Sequence, residues 1–362
     1  MKKCFLMLAL LLWVSGMTAC SVQSGQSPRG QEQDTADTQK QGEETSRTEF
    51  FAMDTYMTFT ADGDGADEAL GSAEEEIRRL EKLWSVTDGD SEIYQANHSD
   101  GVPVMLSEDT AQVVRFALEM ADETDGALEP TIYPVLRAWG FTTGENRIPG
   151  QQELDRLLSH VGYEQAELEG NQLRLPEGVE LDLGAVGKGY AGDLAAEILR
   201  KEGISSALLD IGGNIQAIGS RPDGTPWRLG IRSPFGEGYL GVLTVSDCVV
   251  VTSSNYERYF VGEDGNEYGH ILDPETGRPV DNGLASVTII AEEGKKGDAL
   301  STSLFVMGLP GAEKYWREHR DFEMIAVTED GQIWMTEGIA PSFVLDEAFA
   351  NMEQHVITGD QQ

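Results

Sequence analysis

Three short segments of this chain carry residue types that suit phosphate chemistry. Residues 182–193 read DLGAVGKGYAGD, with Lys188 set among four glycines. Glycine reaches backbone angles closed to other residues and lets a ligand lie against bare main chain, so a lysine in such a run points to an anion, a phosphate first. Residues 297–308 read GDALSTSLFVMG. Asp298, Ser301 and Thr302 are spaced i, i+3, i+4, which on a helix groups three oxygen-bearing side chains on one face of the first turn. Such a set suits a hard cation such as Mg²⁺. Residues 268–280 read YGHILDPETGRPV, where His270 precedes the turn formers Asp273-Pro274 and Thr276-Gly277. Histidine removes protons near neutral pH, so His270 is the candidate base. Each segment also has a plainer explanation: a packing turn for the glycines, a helix N-cap for Asp298, a structural histidine for His270.

Two familiar phosphate sites compete for the glycine run. Gly187-x-Gly189-x-x-Gly192 fits the dinucleotide fingerprint literally, with a possible strand at residues 179–183 before it and Asp210 about 20 residues beyond, where a ribose-binding acid belongs. Against it, Asp182 would charge a strand that should be buried on both faces, and Lys188 would crowd the turn. The P-loop pattern fails because Lys188 is followed by Gly189 rather than Ser or Thr.

The elements that must position these groups follow from periodicity. EFFAMDTYMTFTA (49–61) is aromatic and β-branched and predicts a strand. Residues 66–84 have helical period, with Leu70, Ile77, Leu80 and Trp84 near one face. Further helices are predicted at 107–126, opened by Ser107 or Asp109 and stopped by Gly126, and at 151–162 and 190–203. SSALLDIGGNIQAIG, WRLGIRSP, LGVLTVSDCVVVTSS and ASVTIIA read as strands. Residues 298–319 hold two helical pieces, and FEMIAVTEDGQIWMTEG is a hairpin turning at Asp330-Gly331. Helices gather early and strands late, which predicts one large α+β domain with mixed or antiparallel sheets and flanking helices.

With 26 basic against 63 acidic residues, the formal charge is −37. Such a chain repels nucleic acid and anionic membrane surfaces, and any phosphate ligand must be neutralised locally by a metal ion or a scarce lysine. Lys2, Lys3 and the apolar run from Phe5 to Val14 read as an export signal, too short for a comfortable span. Met17-Thr18-Ala19-Cys20 resembles a bacterial lipobox, which implies cleavage after residue 19 and lipidation of Cys20. Residues 20–48 are polar and predict a flexible tether. The expected plan is therefore a leader at 1–19, a lipidated cysteine and tether at 20–48, a domain at 49–350 and a tail at 351–362. The expected location is the outer face of the cell membrane, held by lipid alone. Cys248 reads as a small core residue, and no disulfide or Cys/His metal cluster is expected.

The order and wording of the segments resemble the FAD:protein FMN transferases of the ApbE type. The likeness runs through AMDTYMTF, LWSVTDGDSEIYQAN, GALEPTIYPVLRAWGF, ELDLGAVGKGYAGD, LLDIGGNIQAIG, VVVTSSNYERYF, GHILDPETGRPV and GDALSTSLFVMG, covering residues 49–340. It implies a single α+β domain with FAD in a cleft. It also implies Mg²⁺-dependent transfer of FMN from FAD to a Thr or Ser hydroxyl of an exported acceptor protein, with release of AMP. By the same resemblance Mg²⁺ is held by Asp298, Ser301, Thr302 and the carbonyl of Ala185, and Lys188 supplies charge to the diphosphate. Asp182 bonds FAD or holds its loop, Met53 and Trp84 pack on the flavin, and Ala127, Leu128 and Glu129 line the nucleotide. His270 is the base, with Ile271 against the ligand. Three positions depart from the family pattern. Asp54 stands for a glycine, Leu128-Glu129 for Phe-Asp, and Ser254 for a glycine, where it is expected to narrow the acceptor's entrance. A flavin carrier without chemistry, an FAD pyrophosphatase and an exported nicotinamide dehydrogenase are the alternatives.

Overall fold

In the computed structural model, which describes residues 45–256 and 258–359, nine strands form one sheet in the order they occur along the chain. They are Thr45–Ala52, Thr55–Asp62, Ser206–Ile211, Asn214–Gly219, Cys248–Ser254, Leu284–Ala291, Glu323–Thr328, Gln332–Thr336 and Glu353–Ile357. Every neighbouring pair is antiparallel except the last, Gln332–Thr336 with Glu353–Ile357. The α+β expectation holds, and the dinucleotide fold, which needs a parallel sheet, is excluded. Residues 179–183 form no strand and make one isolated bridge, Glu180 with Ile132. Asp210 accepts the N–H of Gly213 (2.8 Å), so it holds the Gly212-Gly213 turn between two strands rather than a ribose.

The helices Ala66–Trp84, Gly187–Lys201 and Gly294–His319 cover one face of the sheet. Leu70, Ile77 and Leu80 pack there against strand residues such as Phe59, Leu209 and Ile289. The opposite face carries a three-stranded sheet, Trp227–Arg232, Tyr239–Val245 and Phe343–Leu345. Its Leu229 and Leu243 meet Val250, Ile290 and Ile325. Ile289 and Ile290 thus serve opposite layers, as the two-residue period of a strand requires.

Three expectations are corrected. Residues 49–61 are not one strand but the end of one and the start of the next, joined at Met53 (φ 51°) and Asp54 (φ 57°). Aspartate is among the few non-glycine residues that tolerate this left-handed region, so the family's glycine can be absent without losing the turn. The domain is longer than 49–350. Residues 45–48 pair with 59–62, and Glu353–Ile357 is a sheet strand with Ile357 2% exposed, not a tail. The kinked helix starts at Gly294, so Asp298 lies beyond its first turn and is not an N-cap; the break between its two pieces is at Gly308. The leader, Cys20 and most of the tether fall outside the described residues. Cys248 is half-buried, and burial pushes its thiol up to about 12.

Candidate functional site

The site begins where the Gly187–Lys201 and Gly294–His319 helices touch. A Cβ on Gly189 would stand 2.1 Å from the carbonyl oxygen of Gly294 and 2.7 Å from Cβ of Asp298. Only glycine permits that approach. Gly192 is crowded more softly, by the movable end of a side chain, with Ile211 Cδ1 2.7 Å from where its Cβ would be, and Gly187 lies 3.8 Å from the Trp84 ring by the same measure. The glycines therefore seat one helix on its neighbours. They do not expose main chain to a ligand, as the sequence suggested; Gly184, which is exposed, is the exception.

This contact fixes Asp298. Its Oδ2 accepts the N–H of Gly189 (2.9 Å), its Oδ1 lies 3.6 Å from Nζ of Lys188, and it is 3% exposed. Gly189 is the third residue of its helix, so its N–H has no acceptor within the helix and is given to Asp298 instead. Beside them stands a group of hydroxyls. Ser253 Oγ is 2.8 Å from Ser301 Oγ and 3.4 Å from Thr302 Oγ1, and Ser301 Oγ donates to the carbonyl of Asp298 (2.9 Å). Ser301 is fully buried and tied to Ser253 and its own turn. It gives its proton to the Asp298 carbonyl and so braces that residue, and Thr302 is the more open of the two hydroxyls.

No group of three His, Cys, Asp or Glu side chains poised for a metal occurs among the described residues. A cation here would rely on one carboxylate, the Thr302 hydroxyl and the Ala185 carbonyl. All are oxygens, which fits a hard divalent ion and not a soft one. The all-oxygen donor set and the buried Asp298 carboxylate are the two observations that favour the fit.

Asp193, one helical turn beyond Gly189, holds the second helix in place. Its carboxylate accepts the N–H groups of Gly294 (2.6 Å) and Lys295 (2.9 Å), capping a helix that has no cap from its own chain segment. Burial pushes its pKa up to about 6, against the pull of those two bonds.

Asp182 is joined to the 127–131 segment, for its N–H donates to the carbonyl of Pro130 (2.8 Å), and its Oδ1 accepts from Gly184 N (2.7 Å). Its pKa is raised, chiefly by burial and further by Asp54, while Arg258 and Lys188 pull it down. Those influences bring the 53–54 turn, the glycine segment and the 258–270 region to one place. His270 completes the group. Both its N–H and its Nδ1 reach the carbonyl of Arg258 (3.0 and 3.1 Å). A carbonyl only accepts, so Nδ1 carries the proton and Nε2 keeps a free lone pair. Burial first, then the cations Arg258 and Lys188, push the imidazole down to about 4, so it is neutral at physiological pH.

Several expected ligand contacts fall inside the protein instead. Trp84 is 6% exposed in the main core and meets Tyr190 edge-on (6.0 Å), so it supports the glycine helix and offers no face to a flavin. Leu128 and Ile271 are core residues too. Glu129 spends its carboxylate on Thr131 N and Oγ1 (2.8 and 2.6 Å) and Tyr163 N (3.0 Å), and burial raises its pKa. Of that segment, Ala127 alone has a half-buried side chain that is not so engaged. Met53 is half-buried, with its N–H bound to Glu81 Oε1 (2.6 Å). Ser254 is 1% exposed and sits on the face of its strand opposite Ser253, so it narrows no entrance. Ser253, Asp193 and Arg258 were not picked out from the sequence. All three stood within quoted segments, beside residues that drew the attention.

A model of the ApbE family matches residues 53–326. The FAD:protein FMN transferase of Klebsiella pneumoniae is 34% identical over 275 residues, covering 74% of this chain and 84% of the relative. That of Vibrio cholerae is 35% identical over 226 residues, covering 60% and 67%. Among solved structures, the ApbE protein of Thermotoga maritima superposes with a TM-score of 0.78 at 31% identity, over 83% of this chain and 99% of the other. The flavin transferase ApbE of Vibrio cholerae gives 0.75 at 27%, with the same coverage.

Proposed function

We propose, because the chain belongs to the ApbE family, that it is an FAD:protein FMN transferase, moving FMN from FAD to a Thr or Ser hydroxyl of an acceptor protein and releasing AMP. The observation that carries this reading is the meeting of the lysine-bearing glycine segment with the helix that carries Asp298, at Gly189 and Asp298. Two sequence-distant phosphate-handling motifs, 109 residues apart, share one buried contact.

His270 Nε2, neutral and held in the right tautomer, takes the proton of the acceptor hydroxyl. The acceptor oxygen forms a bond to the FMN phosphorus as the bond from that phosphorus to the bridging oxygen breaks. The electron pair leaves with AMP, and the proton passes from His270 to water. Lys188 places positive charge beside the diphosphate in a strongly acidic protein, and Asp182 orders the loop that carries it. Asp298, Thr302 and the carbonyl of Ala185 would hold Mg²⁺, which when bound offsets the charge developing on the phosphoryl oxygens. Met53, beside the 53–54 turn, is the apolar contact left for the flavin. Cleavage of FAD by water on the same machinery is the built-in side reaction.

The same reading puts the domain outside the cytoplasm, tethered through residues 20–44 to a lipidated Cys20 after removal of 1–19, where exported subunits of membrane redox complexes are the fitting acceptors. The test incubates the soluble domain with FAD, Mg²⁺ and membrane extract, then images a denaturing gel under ultraviolet light. A flavin-bearing band with stoichiometric AMP supports transfer. Free FMN and AMP without a band would make the protein a pyrophosphatase, and intact FAD a carrier.

A further inference from the structure

The two-stranded hairpin Tyr259–Val261 and Glu267–Gly269 leads directly into His270. Its hydrogen-bonded pairs are Arg258 with His270, where His270 N donates to Arg258 O (3.0 Å), and Gly262 with Asn266, where Gly262 N donates to Asn266 O (2.8 Å). Antiparallel strands alternate, so Phe260 faces Tyr268, and the N–H and C=O groups of Tyr259 and Val261 point away from the partner strand. Among the described residues no further strand covers that edge. The side chains of these two residues are also open, at 47% and 60% exposure, whereas Phe260 packs on Trp139, Phe141 and Tyr268. Ile148, 39% exposed, lies 3.0 Å from a Cβ placed on Gly262 and so stands on the Phe260 face of the hairpin, leaving the Tyr259 and Val261 face open.

We propose that this edge docks the acceptor protein, whose Thr- or Ser-bearing segment adds as an extended strand beside Tyr259–Val261; the proposal rests on the transferase reading above. The imidazole of His270 leans toward the Tyr259–Val261 strand, since Nδ1 is bound to the Arg258 carbonyl. A chain laid on the outer edge, one strand spacing of about 4.8 Å away, lies beside the strand over which the ring leans, within reach of a side-chain hydroxyl. Main-chain hydrogen bonds give such docking its affinity, and the alternate side chains give it selectivity. The hairpin also carries Glu263, Asp264 and Glu267 in a chain of charge −37. The docked segment is therefore neutral or basic.

The acceptor for the test is the protein purified from the flavin-bearing band of the transfer assay, produced without its flavin. Hydrogen exchange of the wild-type domain is followed with and without it, in metal-free buffer; the amides of Tyr259 and Val261 should become protected. In parallel, Val261→Pro removes one outward N–H while leaving the bonds to the partner strand, a change edge positions tolerate. Its KM for the acceptor should rise about tenfold, the worth of one or two main-chain hydrogen bonds, while Val261→Ala stays near wild type. Cleavage of FAD by water should be unchanged in both. Transfer that proceeds with unprotected Tyr259 and Val261 amides, or an unchanged acceptor KM in Val261→Pro, overturns the docking surface and leaves the transferase standing. A domain that leaves FAD intact, with no flavin-bearing band, instead removes the transferase reading.

Discussion

Gly189 N and Asp298 Oδ2 are joined at 2.9 Å across two helices, and this bond sets the position of the carboxylate. The packing contact thus sits at the cation site proposed above. Glycine is needed because a methyl group would meet the Gly294 carbonyl at 2.1 Å.

Gly189→Ala should separate the two helices. Overpacking of this kind costs about 1–3 kcal/mol, so the melting temperature should fall by several degrees. Release of AMP from FAD should drop more steeply than stability, since Asp298 moves with the helix. Thermal melts and an AMP assay on one preparation check both.

Asp193→Asn keeps the shape but weakens the trans-cap on Gly294 and Lys295. Loss of a cap costs about 0.5–2 kcal/mol. The pH dependence has a definite sign. The folded-state pKa, near 6, lies above the ordinary 3.8, so the fold favours the protonated form. The contribution of this group is greatest below pH 3.8 and is lost as pH rises through 6. Denaturant midpoints for wild type and variant across pH 4 to 7 should lose this slope in the variant.

His270→Ala should lower transfer by roughly 10²–10⁴-fold while FAD binding survives, as expected for loss of a general base. The imidazole stays neutral down to about 4, so the acid limb of the wild-type pH–rate profile should fall near 4 rather than near 6.5. Burial of the neutral ring also stabilises the fold above pH 6.5, and that contribution fades as pH falls toward 4. An acid limb at 6.5 would place another group in the role.

Much of this arrangement could be read from residue order. The helical stripes of 66–84, the kinked helix and the strand-rich second half follow from periodicity, and three motifs named the site. What the sequence hid has physical causes. Asp54 disguised a hairpin because it takes a left-handed turn that glycine usually marks. Glu353–Ile357 is a polar edge strand that buries little besides Ile357, so no alternation betrays it. Trp84 and Leu128 drew a ligand reading through the family likeness, yet both complete the core. Glycines that serve helix contact and glycines that cradle phosphate look alike in sequence; the Cβ clearances at Gly189 and Gly192 tell them apart.

The most direct test measures AMP release from FAD while Mg²⁺ is titrated, for the wild type and Asp298→Ala side by side. The account predicts that AMP forms only with Mg²⁺ present, and that Asp298→Ala needs at least about tenfold more metal for half-maximal rate, the loss of one charge-assisted ligand. AMP release in the wild type that continues unchanged in excess chelator, or an identical Mg²⁺ requirement in Asp298→Ala, would contradict it.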